Sequence, residues 1–181
     1  MKEVEVKAHV ADLAAVKQKL ASLGCELSEP VIQEDVVYLH KPLTLKDVKR
    51  GIVSVRIRTQ DGKNILTLKK QLENGLDKLE REIVFDDAEQ AADMLEILDM
   101  HAASRLKKTR QKYKHQGMEI CLDEVEGLGS FVEVEKIVDE GADSIAVQDE
   151  LFSWLQTLGV SRNDRVTKGY DILMYEKEQR P

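Results

Sequence analysis

The first residues of the chain alternate strictly between charge and hydrocarbon: Glu3-Val4-Glu5-Val6-Lys7. A period of two belongs to a β-strand, so the three charges share one face and the valines the other. The pattern returns along the chain. Arg56 with Arg58, Lys78 with Glu80 and Glu82, Lys108 with Arg110 and Lys112, and Glu133 with Glu135 are all spaced by two, and Lys69 and Asp123 sit on equivalent alternating faces. One such face alone reads as solvated, and Lys78/Glu80/Glu82 alone as a cross-strand ladder of ion pairs. Five sets on different strands need another account. Helices predicted between the strands require an apolar sheet face to pack on, and the strand valines and isoleucines supply it. The charged faces then point the other way, into a barrel interior. Isolated buried ions cost several kcal/mol, so such a lining survives only if paired, hydrated or occupied by a ligand.

Punctuation along the chain sets the elements. Asp12 caps a helix through Leu13, Val16, Leu20 and Leu23, with Gly24 at its stop. A strand covers 31–39, a loop 40–51, and a hairpin joins 53–58 to 64–69 across Asp61-Gly62. Asn74-Gly75 marks a turn before a strand at 78–85, and Asp86 or Asp87 opens a helix running to about Met100. Gln116-Gly117 joins strands at 104–114 and 118–125, and Gly127-Leu128-Gly129 leads into a strand at 131–138. Ser144 caps a helix through Leu158 that Gly159 stops, and a last amphipathic piece runs from about Arg165 to Tyr175. The predicted architecture is α+β, mainly β: one domain over 1–181, an antiparallel sheet closed into an eight-stranded barrel, helices packed outside.

Composition excludes several classes of function. With 34% charged and 42% hydrophobic residues the chain reads as globular, and its net charge of −7 argues against nucleic-acid binding through an outer basic face. No apolar run reaches membrane-spanning length, and MKEVEVKAHV has no secretory core, so a cytoplasmic protein is expected. Cys25 and Cys121 have neither metal-ligand spacing nor disulfide density and read as reduced thiols; His9, His40, His101 and His115 read as surface or loop residues. Arginines and lysines suit phosphate oxygens, and clustered carboxylates suit Mg²⁺ or Mn²⁺, which bridge phosphates. Acids and bases in one cavity describe a site for a metal-bound polyphosphate.

These residues, in this order, resemble the CYTH, or triphosphate tunnel metalloenzyme, family. Glu3-Val4-Glu5-Val6-Lys7 matches its ExExK signature. Arg56-Ile57-Arg58, Thr67-Leu68-Lys69, Glu80 and Glu82, Lys108-Thr109-Arg110 and Leu122-Asp123 follow, then the most specific block, Gly127-Leu128-Gly129-Ser130-Phe131-Val132-Glu133-Val134-Glu135. The resemblance implies an eight-stranded tunnel in which Lys7, Arg56, Arg58, Lys69, Lys108 and Arg110 hold a triphosphate. Glu3, Glu5, Asp123, Glu133 and Glu135 would hold Mg²⁺ or Mn²⁺. Glu80 and Glu82 would support the metal or orient the cations, and Lys168, before Gly169-Tyr170, would reach a tunnel mouth. Glu3 or its neighbours would polarise a metal-bound attacking water, with Lys7 mainly electrostatic, and Glu3 and Lys7 are the expected catalytic residues. Family members include class IV adenylate cyclases, thiamine triphosphatases and inorganic triphosphatases, and they often form dimers. The resemblance therefore implies ATP, tripolyphosphate or thiamine triphosphate as partner, without nucleic acid or membrane, and a homodimer is compatible with it. Hydrolysis of the terminal phosphate stands first, cyclisation of ATP second, and non-catalytic polyphosphate binding third. Aromatic content is 4%, and no adenine-reading motif stands out. Where many relatives carry Tyr after the strand Asp this chain has Val37, and Tyr38 points to the other face, which puts in question a Lys–Tyr base of the kind attributed to some family hydrolases.

Overall fold

The computed structural model describes residues 2–25, 28–71 and 78–179, so the turn expected at Asn74-Gly75 lies outside the described residues. Strand β1 spans Lys2–His9, helix α1 Leu13–Ser22, β2 Val31–His40, β3 Val53–Gln60, β4 Lys63–Gln71 and β5 Lys78–Phe85. Helix α2 covers Ala88–Ile97, β6 Met100–His115, β7 Met118–Val125, β8 Gly129–Val138 and α3 Ser144–Thr157; a two-residue β9 at Arg165–Val166 precedes α4, Tyr170–Glu178.

Local chemistry accounts for the boundaries. Asp12 caps α1 by accepting from the Ala15 amide, and Asp87 caps α2 through Gln90. At α3 the cap is Asp143 rather than the expected Ser144: its carboxylate accepts from both Ile145 and Ala146 amides, and Ser144 is already helical. Asp61 and Gly62 both take positive φ, 50° and 70°, as a two-residue hairpin between right-twisted strands demands. The piece expected to be amphipathic from Arg165 divides, with β9 first and α4 beginning only at Tyr170.

The strand order is β5-β4-β3-β2-β6-β7-β8-β1-β9, and the registered pairs are antiparallel. The closed eight-stranded barrel expected from the sequence is not what forms. The sheet has nine strands and two ends, β5 and β9. Part of the reason is that β1 pairs with β8 on one edge and, at Lys7 and Ala8, with β9 on the other, which takes the edge that a closing strand would need.

Two compact units share this order. Unit one comprises Met1–Val31 and Thr109–Thr167, unit two Ile32–Lys108 and Lys168–Pro181. In unit one Val4, Val6 and Ala8 of β1, Ile120 and Leu122 of β7, and Val132 and Val134 of β8 form one apolar sheet face. Leu13, Val16 and Leu20 of α1 and Leu151, Phe152 and Leu155 of α3 pack on it. In unit two α2, through Leu95, Ala88, Ala91 and Ala92, packs on Tyr38, Val55, Ile57 and Leu66. A second cluster joins Val37 and Leu39 of β2 to Leu45 and to Ile172 and Tyr175 of α4. Helices α1, α2 and α3 thus take the face opposite the alternating charges, as the sequence pattern requires.

This division makes the core's contribution measurable. Phe152 is fully buried, and Phe152→Ala is expected to destabilise the chain by about 3–5 kcal/mol in urea denaturation. A loss below ~1 kcal/mol would show that α3 does not anchor the apolar face.

Candidate active site

In unit one the charged face holds a closed ion network. Arg110 of β6 donates through Nε and Nη2 to the two carboxylate oxygens of Asp123 at 2.7 and 2.6 Å, and through Nη2 to Glu133 at 2.9 Å. The other oxygen of Glu133 lies 2.9 Å from Lys7 Nζ, which also donates to Glu5 at 2.8 Å. Glu133 therefore links the arginine of β6 to the lysine of β1. Cross-strand register explains the meeting, because Lys7 faces Glu133 and Glu5 faces Glu135 across β1 and β8. Arg110 is only 8% exposed and Asp123 fully buried, so these are charges held without water. Burial opposes the charge on Arg110, but the hydrogen bonds it donates to Asp123 and the charges of Glu133 and Asp123 outweigh it and drive its pKa up. Burial likewise works against Lys7, and the charges of Glu133 and Glu5 win there too.

Glu135 has the opposite problem. Burial, then a hydrogen bond with Glu133, then the negative charges of Glu133 and Glu3, push its carboxyl up to about 9. Ligand atoms of Glu133, Glu135 and Cys121 lie within 4.8 Å of one another. Two carboxylates this close, one forced to keep a proton, are the donor chemistry that a hard divalent cation relieves, so the residues fit Mg²⁺ or Mn²⁺. Cys121 does not fit such an ion: burial holds its thiol protonated, up to about 12. Glu3 and Glu135 also line a cavity of about 470 Å³ together with Lys114, Met118, Glu119 and Ile137.

Unit two carries the remaining cations. Arg58 grips Asp35 bidentately at 2.6 and 2.7 Å, and the arginine holds that carboxyl below its usual range despite the burial that opposes this. Arg56 donates to Thr67 at 3.0 Å and to Glu82 at 3.3 Å, and the Thr67 hydroxyl donates to Glu82 at 2.7 Å. Lys69 pairs with Glu80 at 2.9 Å. Lys108 stands 4.9 Å from the centroid of the Tyr170 ring, and Lys168 pairs with Glu176 at 2.6 Å on the outside of α4. Glu80 and Glu82 thus hold cations of neighbouring strands in place.

Three buried side-chain atoms among the described residues have no hydrogen-bond partner: Arg56 Nε, Gln33 Oε1 and Ser104 Oγ. All three belong to unit two, and all share the charged face by alternation, Gln33 with Asp35, Arg56 with Arg58 and Ser104 with Lys108. Burial and the neighbouring Arg58 also depress the pKa of Arg56, so its charge is under-compensated.

The network of unit one unites Glu5, Lys7, Arg110, Asp123 and Glu133. Glu3 acts on Glu135 through its charge. Arg56, Arg58, Lys69 and Lys108 lie in unit two, as does Lys168, an exposed end. Sequence reasoning missed Asp35, Thr67, Gln33 and Cys121. Only Thr67 carried a usable signal: it alternates with Lys69, and the Asp61-Gly62 hairpin sets it opposite Arg56. Tyr38 does turn to the helix side, packed with Val55 and Ile57.

Because native Glu135 keeps a proton from pH 4.5 to about 9 that the unfolded chain loses, stability falls as pH rises through that window. Urea midpoints measured with a chelator present are expected to drop between those limits, and Glu135→Gln to flatten the slope. A midpoint that rises with pH would contradict the buried carboxyl.

The fold has counterparts among known proteins. The family model for the CYTH domain matches residues 1–170. A protein of Methanocaldococcus jannaschii named "Putative adenylate cyclase MJ0240" is 28% identical over 94% of this chain and 97% of its own. Among solved structures, the PH1819 protein of Pyrococcus horikoshii OT3 is 29% identical with a TM-score of 0.79, covering 98% of this chain and 99% of its own. A "Putative adenylyl cyclase" from Hippeastrum, described as having a dominant triphosphatase activity, shares the fold at a TM-score of 0.63 and 16% identity, over 99% of this chain and 97% of its own. With the family model spanning all but the last eleven residues, the chain belongs to the CYTH family.

Proposed function

We propose that the chain is a divalent-metal-dependent enzyme that hydrolyses the terminal phosphate of a triphosphate. The observation that carries this reading is the guanidinium of Arg56, a buried donor with an unpartnered Nε next to a second arginine. Such a group calls for an anion, and a phosphate oxygen is the acceptor that arginine geometry suits best. In this reading the cations that the family resemblance implies, Lys7, Arg56, Arg58, Lys69, Lys108, Arg110 and Lys168, would neutralise phosphate oxygens. Glu3, Glu5, Asp123, Glu133 and Glu135 would hold Mg²⁺ or Mn²⁺, and the cation supplies charge neutralisation on the phosphates.

Hydrolysis needs a water in line with the terminal phosphorus and a leaving diphosphate whose charge is met by fixed cations. Glu3 takes the water's proton as the new P–O bond forms and the old one breaks. Lys7, locked between Glu5 and Glu133, contributes a fixed positive charge. The triphosphatase activity described for the Hippeastrum protein supports hydrolysis. The name of the M. jannaschii relative supports a second reading, cyclisation of ATP, in which the ribose 3′-hydroxyl attacks the α-phosphorus and pyrophosphate leaves.

Incubation with ATP, tripolyphosphate and thiamine triphosphate in Mg²⁺ or Mn²⁺, followed by ³¹P NMR, separates the readings. Release of inorganic phosphate is expected. Cyclic AMP with pyrophosphate would replace hydrolysis by cyclisation, and binding without turnover would leave a polyphosphate-binding module. Glu133→Gln is expected to abolish metal-dependent turnover with the circular dichroism spectrum retained; full activity in that variant would remove Glu133 from the metal set.

A further inference from the structure

Cys121 stands on the charged face of β7, not in the core. A free buried cysteine ordinarily serves as a small hydrophobe, and the residues on either side of it, Ile120 and Leu122, do join the apolar cluster under the helices. Alternation turns Cys121 the other way, in line with Glu119 and Asp123. It is fully buried there. The register sets it opposite Glu133, and sets Glu119 opposite Glu135. Its sulfur lies 3.9 Å from a Glu119 carboxylate oxygen and within 4.8 Å of ligand atoms of Glu133 and Glu135. A thiol is a weak hydrogen-bond donor, so pairing with carboxylates gives it little reason to be on this face. Metal ligation gives it one.

The position is open to an ion. Glu119 and Glu135, one row along the strands from the thiol, both line the cavity of about 470 Å³, and Glu3 joins them on its wall. A cation entering there meets carboxylates first and the sulfur next. The donors are mixed, two carboxylates and one sulfur, whereas Mg²⁺ and Mn²⁺ favour oxygen. Thiolate selects softer ions, and Zn²⁺ takes Cys and Glu ligands together in one tetrahedral shell. Small rotations of the two carboxylates bring a spread of 4.8 Å onto one ion with bonds of about 2.0–2.3 Å.

We infer that Cys121, with Glu133 and Glu135, forms a site for a thiophilic divalent cation such as Zn²⁺ or Cd²⁺, which displaces the hard cation from the two carboxylates and blocks turnover. On binding, the S–H bond of Cys121 breaks, its proton leaves to the buffer and a metal–sulfur bond forms, with no change of oxidation state. The binding stands on the geometry of unit one alone; only the block of turnover rests on the triphosphatase reading above.

The test titrates the metal-free, reduced protein with Cd²⁺ and reads the ultraviolet sulfur-to-cadmium charge-transfer band. A saturable band is expected. The other thiol, Cys25, lies 3.4 Å from His115 Nδ1 and offers a competing pair of ligands, so Cys25→Ser is measured alongside. The band is expected to persist in Cys25→Ser and to vanish in Cys121→Ser. Glu135→Gln keeps the sulfur and decides the matter where Cys121→Ser does not fold. It is expected to raise the Kd for Cd²⁺ by at least the roughly tenfold that loss of even a supporting contact to a metal ligand costs. No band in the wild-type protein, its loss in Cys25→Ser, or an unchanged Kd in Glu135→Gln would overturn the inference. Phosphate release in Mg²⁺ is expected to stop as the band saturates, and release that continues with the band fully formed would overturn it as well. If no triphosphate is turned over even without Cd²⁺, the catalytic reading alone falls, and the band still decides the site.

Discussion

A guanidinium buried as deeply as that of Arg110 has to be cancelled where it stands. Asp123 does so with two parallel hydrogen bonds and Glu133 adds a third. Removing either carboxylate would leave a buried positive charge under-compensated, a far greater loss than the net worth of the pair. The ion network of unit one depends on this arrangement, because Glu133 is shared with Lys7 and Lys7 with Glu5. The network reaches three strands, β6, β8 and β1, through side chains alone. Its charged groups are thereby held in place by one another, the kind of preorganisation that the proposed action on a phosphate would draw on.

The two units solve the charge problem differently. In unit one each cation of the network is closed by carboxylates, and the residual frustration is negative, expressed in the proton that Glu135 retains. In unit two Asp35 is buried while Glu80 and Glu82 are exposed, and the residual frustration is positive at Arg56 and polar at Gln33 and Ser104. Each unit thus leaves a different kind of pairing incomplete, an excess of carboxylate in the first and an excess of buried donor and amide in the second.

Much of this was legible in the sequence, and for a physical reason. Alternation with a period of two assigns faces without any knowledge of topology, so the charged side of β1, β3, β6 and β8 could be read directly. The hairpins were legible because Asp61-Gly62 and Gln116-Gly117 carry the backbone preference that their positive φ values require. Closure was not legible. Whether the end strands of a sheet meet depends on which edge a short late strand occupies, and Arg165–Val166 is too brief to show any period. Gln33 and Asp35 escaped notice because β2 changes character midway, polar at its start and apolar from Val37 onward on the same face. A face that serves two purposes shows no single pattern. Cys121 was likewise unreadable as a neighbour of Glu133, since the contact arises from the pairing of β7 with β8 rather than from spacing.

Alternation of this kind also makes the strands intolerant of being misaligned. In β1 and β8 even-numbered residues build the helix-facing core and odd-numbered ones the ion network. A slip of one residue in either strand would drive Glu5 or Glu133 under the helices and turn valines toward Arg110, so core and network would fail together. Intermediates misregistered by one residue therefore gain from neither face. The burden of burying charge brings with it a strict criterion for correct assembly, enforced at each strand during folding.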